Sequence, residues 1–139
     1  MNKLAFSLII TILPLTAFAG GDDFKAQVIE FSDKGKNQYK LKFIQLSQPF
    51  GKKHKGNKEI TVHLQYKCPL KKCDCKYNKP TLQTYNSGIK LLRKQIESSK
   101  NIKFGVMGRG YKLINGTKNQ YESRGLKIHN DVVYSYYHY

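Results

Sequence analysis

Three cysteines, four histidines and a large surplus of lysines are the residues of this 139-residue chain that could do chemistry. Cys68, Cys73 and Cys75 fall close together, spaced C-x4-C-x-C. Three thiolates joined by His63 or His54 would suit zinc or Cu(I). Zinc sites usually show paired C-x2-C spacings, however, and nothing in the sequence brings either histidine to the cysteines. In an oxidising compartment the spacing predicts one local disulfide, from Cys68 to Cys73 or to Cys75. A Cys73–Cys75 bond would be strained. The third cysteine stays free or joins another chain. No metal and no other cofactor is expected.

The histidines are His54, His63, His129 and His138. Two of them with a lysine could serve a secreted nuclease as general acid, base and charge stabiliser. No pairing motif orients them, so no catalytic residue is assigned.

The compartment follows from the start of the chain. Met1-Asn2-Lys3 is positive, Leu4 to Phe18 is apolar, and Ala17-Phe18-Ala19 offers small residues at both positions read by a signal peptidase. The expectation is a cleaved signal peptide over residues 1–19 and one domain over residues 20–139. The protein would then be periplasmic or secreted. No later stretch is long enough to span a bilayer as a helix.

Charge is the second strong signal. Losing Lys3 with the leader takes 25 basic residues to 24, against 9 acidic ones, a net +15. Such a field draws in anionic polymers or acidic glycan surfaces. Only Arg93, Arg109 and Arg124 are arginines. Arginine is the residue for bidentate phosphate or guanine recognition, so the lysine surplus favours diffuse attraction over a nucleic-acid code.

Elements must position these groups. Phe24 to Phe31 alternates, then switches its apolar face at Ile29, which predicts a bulge or a sharp coil. A turn at 32–37 leads to a second strand with Tyr39, Leu41 and Phe43 on one face; its face also switches, at Ile44 and Leu46. Ile60, Val62, Leu64 and Tyr66 alternate strictly with Thr61, His63 and Gln65, a half-buried strand. Leu82, Tyr85, Ile89, Leu92 and Ile96 form a helical stripe. Asn86 or Ser87 could cap a shorter version, and Gly88 weakens the longer one. Strands follow at Ile102 to Val106 and Tyr121 to His129. Val132 to Tyr136 reads as a terminal strand on a barrel edge.

The order β-β-β-α-β-β resembles the OB-fold, a five-stranded Greek-key barrel. That resemblance implies a mainly β domain with one helix, and a binding surface on the outer face of strands two and three. Here that face would carry Lys40, Lys42, Thr61, His63, Gln65 and Lys67, with Lys52, Lys53 and Lys55 in the loop between those strands and Lys34, Lys36 and the Asn115 to Gln120 turn in the neighbouring loops. The predicted function is a non-enzymatic, exported, basic binding module for an anionic or carbohydrate ligand. Two alternatives stand beside it. One is a glycan-binding subunit of an oligomeric toxin-like assembly, which the chain resembles in size, expected export, expected local disulfide and late helix. The other is a secreted nuclease using His63 and a lysine.

Overall fold

The computed structural model describes residues 21–47, 58–67 and 80–137. The expected signal peptide over residues 1–19, Lys52, Lys53, His54, Lys55, His138 and all three cysteines with their expected disulfide lie outside the described residues.

The described chain is mainly β with one helix. Its elements are β1 (Gly21–Gly35), β2 (Gln38–Gln45), β3 (Lys58–Leu64), α1 (Leu82–Ser98), β4 (Asn101–Gly108), β5 (Lys112–Leu113), β6 (Gln120–Glu122), β7 (Gly125–His129) and β8 (Val132–Tyr137). One sheet takes them in the order β5-β6-β3-β2-β1-β4-β8-β7. Strands β1 to β3 form the expected antiparallel meander, and β1 also pairs antiparallel with β4. The strand count is eight, not five, because the predicted fifth strand breaks in two and short β5 and buried β8 join the sheet.

The break closes the sheet on itself. Residues 120–129 run from β6 to β7 with only Ser123 and Arg124 between. Ser123 N–H donates to the His63 carbonyl at 2.9 Å, and Lys67 N–H donates to the Arg124 carbonyl at 3.0 Å. On its other side, Arg124 N–H donates to the Tyr136 carbonyl at 2.8 Å. The stretch thus bridges the β3 end of the sheet to the β8 end, and the sheet curls into a barrel-like ring. This puts β8 between β4 and β7, a buried strand and not an edge.

The β1 bulge is where the face switch predicts it, with the register breaking between Val28 and Glu30. No bulge occurs in β2. Its pairing with β3 runs unbroken from Tyr39 to Gln45, so Ile44 and Leu46 point outward. The inward position is Gln45, whose amide donates to the Ser47 carbonyl at 2.9 Å and so meets its polar need there. Two-residue turns at Lys36-Asn37 and Asn130-Asp131 have positive φ at both positions, the geometry whose twist matches a hairpin.

The helix starts at Thr81, not at Asn86 or Ser87. Thr81 Oγ1 accepts from Thr84 N–H at 3.1 Å, while Thr84 Oγ1 accepts from Thr81 N–H at 2.8 Å. Those bonds satisfy donors that a helix start leaves open. Tyr85, Ile89 and Leu92 face the core, and Leu82 does not. Gly88 is a contact point: a Cβ there would lie 2.8 Å from the Leu126 Cβ. The helix gives up some propensity at Gly88 and gains close seating on β7.

Inside the ring, Phe24, Phe43 and Phe104 pack with centroids 5.7 to 6.0 Å apart. A second apolar cluster, Met107, Val132 and Tyr134, sits apart from that core. There the Tyr134 ring lies on Gly105, and its hydroxyl donates to Asp23 Oδ2 at 3.2 Å. Burial, then the Asp23 charge, pushes the Tyr134 phenol up to about 12. Burial raises Tyr85 and Tyr111 in the same direction.

These phenols stay protonated in the fold above the pH at which the unfolded chain ionises. Their contribution is complete below about pH 10 and is lost as pH rises through the folded values. Unfolding free energy from urea titrations should therefore fall between about pH 10 and 12. Tyr134→Phe should fall less steeply in that window. Equal slopes for both proteins would contradict the assignment.

Candidate functional site

The outer face of the sheet is built from side chains that alternate away from the core. The register lines up Ser32, Lys40, His63, Glu122 and Lys112 as one row across five strands. The next row is Glu30, Lys42, Thr61 and Gln120. Of the predicted site residues, Lys40, Lys42, His63 and Gln65 are brought together here. Lys67 sits at the end of the strip, its side chain exposed. The structure does not describe Lys52, Lys53 or Lys55.

The face is not a plain cationic one. Lys40 Nζ lies 3.6 Å from Glu30 Oε1, and Lys42 Nζ lies 2.9 Å from Glu59 Oε1. Ser32 Oγ donates to the second Glu30 oxygen at 2.9 Å. That hydrogen bond, with the Lys40 charge, holds the Glu30 carboxyl below its ordinary range. The Glu59 carboxylate holds the Lys42 ammonium above its own. These pairs are exposed, so they orient side chains more than they stabilise the fold.

The middle of the strip holds two hydrogen-bonded groups, one on Gln120 and one on Glu122. His63 Nε2 donates to Gln120 Oε1 at 2.8 Å, which leaves Nδ1 as the ring's acceptor. Gln65 Nε2 donates to Glu122 Oε2 at 3.4 Å. The other Glu122 oxygen meets the Tyr137 hydroxyl at 3.4 Å and Arg124 Nη2 at 3.8 Å. Arg124 lies 4.6 Å over the Tyr137 ring, and Lys112 lies 5.9 Å from the same centroid. Tyr137 is buried under these cations, so it is no stacking platform for a base.

Two hollows flank the strip. One, of about 260 Å³, takes in Lys112, Asn115 and Glu122. The other, of about 210 Å³, takes in Gln38, Gln65, Tyr66 and Lys67. The hollows offer one carboxylate, amides and ammoniums, and the strip between them adds the His63 imidazole.

Sequence reasoning missed Glu30, Glu59, Glu122 and Arg124, and placed Gln120 only as the end of a loop. Glu59 had a signal, since it starts the cleanest strand. Glu30 depends on the β1 bulge and the β1–β2 hairpin register, and the others on strands distant in sequence, above all the parallel β3–β6 pair. Among the described residues, no helix is long and apolar enough to cross a membrane. No family model, curated protein or solved structure matches the chain.

Proposed function

We propose that this protein is an exported, non-enzymatic binding module taking an anionic or carbohydrate ligand on the outer face of β1, β2, β3 and β6. The make-up of that face favours carbohydrate. The observation that carries this reading is its charge balance. Lys40, Lys42, Lys67, Lys112 and Arg124 are five cations set among three carboxylates, Glu30, Glu59 and Glu122. A polyanion laid along the strip would meet those carboxylates at close range. Sugar hydroxyls both donate and accept. They would find acceptors in Glu122 and His63 Nδ1, and donors in Gln65 and the lysines. Their partners hold these side chains in place, which lowers the ordering cost of binding.

The test is calorimetric titration of the protein with neutral oligosaccharides and with a sulfated polysaccharide. Binding of a neutral glycan should change little with salt. The double variant His63→Ala/Gln65→Ala should lose at least about tenfold in affinity, roughly 1.4 kcal/mol. Its melting temperature should hold, because both side chains are on the outer face. A contrary result would be polyanion binding that weakens steeply with salt, at a slope of about 0.7–0.9 per phosphate-like contact, and that the double variant leaves unchanged. Nucleic-acid turnover that His63→Ala abolishes would instead support the hydrolase reading.

A further inference from the structure

A different part of the sheet treats its lysines differently. Lys25 on β1 and Lys103 on β4 are direct register partners, and both are exposed. Opposed cross-strand side chains have Cβ atoms about 5 Å apart, and like charges there repel. Lys40 and Lys42 each have a glutamate. Among the described residues, Lys25 and Lys103 have no carboxylate partner.

These two lysines stand where two concavities meet. A groove of about 620 Å³ runs between the last turns of α1, the start of β4 and the β7–β8 turn. Leu91, Ile102 and Val132 give it an apolar lining, with Lys94 on the rim and Asp131 as its one acidic lining residue. Its size is in the ~300–1,000 Å³ range of small-molecule sites. A hollow of about 280 Å³ adjoins it, lined by Lys25 and Leu46 and sharing Asn101, Ile102 and Lys103. Leu46 is 40% exposed, a large aliphatic left in solvent in the hollow that Lys25 and Lys103 line. Gln95 braces the groove wall, its Nε2 donating to the Asp131 carbonyl at 2.6 Å.

We propose that this groove is a site for a single-chain anionic amphiphile. Its carboxylate or phosphate head sits between the Lys25 and Lys103 ammoniums and relieves their repulsion. Its chain lies along Leu91, Ile102 and Val132. Charge complementarity and an apolar lining in two adjoining concavities that share Asn101, Ile102 and Lys103 argue for this ligand class. The site is separate from the glycan strip, so either can fail without the other.

Titrating the protein with decanoate, decyl phosphate, decanol and hexanoate, each below its micelle concentration, tests the proposal. Both decyl anions should bind; the tighter one identifies the head the site prefers. Hexanoate should bind far more weakly, by up to about fourfold for each methylene withdrawn from water. Lys25→Glu/Lys103→Glu should weaken both anions at least tenfold. Lys90→Glu/Lys118→Glu, the same charge change elsewhere, should not. All four positions are exposed, and a thermal melt confirms folding. Equal binding of decanol, equal losses in the two double variants, or no binding of any anion would each overturn the proposal. Saturating the strip with a neutral glycan should leave decanoate affinity unchanged.

Discussion

Phe43→Ala is expected to lower the unfolding free energy by about 3–5 kcal/mol. Phe43 is fully buried and lies 5.7 Å, centroid to centroid, from both Phe24 and Phe104. The three rings come from β1, β2 and β4, so removing one opens a cavity where three strands meet. The walls are strands held by their own ladders and can collapse only in part. The cost thus combines lost transfer energy with a residual void. Domains of this size have about 5–15 kcal/mol in total, so the variant should sit near its folding limit. Urea midpoints at constant slope give the measurement. Ile29→Ala is the control: Ile29 sits at the bulge, 49% exposed, and should shift stability by about 0.5 kcal/mol or less. A loss below about 1 kcal/mol at Phe43 would mean the aromatic trio is not the centre of the core.

Gly105→Val should be nearly as damaging, through crowding instead of a void. A Cβ at Gly105 would stand 2.2 Å from the Tyr134 Cδ2 and 2.4 Å from its Cε2. The ring would have to leave. Its hydroxyl would lose Asp23, and Met107 and Val132 would lose a packing partner. Overpacking costs about 1–3 kcal/mol and the lost hydrogen bond about 1 more. Removing the obstructing ring distinguishes this cause from a backbone effect. With Tyr134→Ala already present, the further change Gly105→Val should cost much less, because the sites are coupled. Strict additivity of the two changes would contradict the contact.

Local patterning was readable where each residue answers to its own strand or helix. Strict alternation through Ile60, Val62 and Leu64 marks β3, and the face switch at Ile29 marks a real bulge. The same kind of switch at Ile44 and Leu46 misleads. Those aliphatics simply face outward while Gln45 turns in, and hydropathy alone does not separate the two cases. Gly88 reads as a weak point in a helix, but it is where the helix seats on Leu126, a fact of tertiary packing. The predicted strand from Tyr121 to His129 hides its break at Ser123, because the break serves the sheet's closure. The site follows the same division. Lys40, Lys42 and His63 are legible as one face by alternation. Glu30 reaches them through the shifted register of the β1–β2 hairpin, and Gln120 and Glu122 only through the parallel pairing of β3 with β6.

The most direct test of the binding role is residue-resolved: backbone amide shifts recorded as a neutral oligosaccharide is titrated into the isotope-labelled protein. The account predicts that the largest changes fall on residues 61–65 and 120–124, with smaller ones at Lys40 and Lys42. Changes centred on Lys25 and Lys103, or scattered over the lysine-rich surface, would contradict a glycan site on the β3–β6 strip.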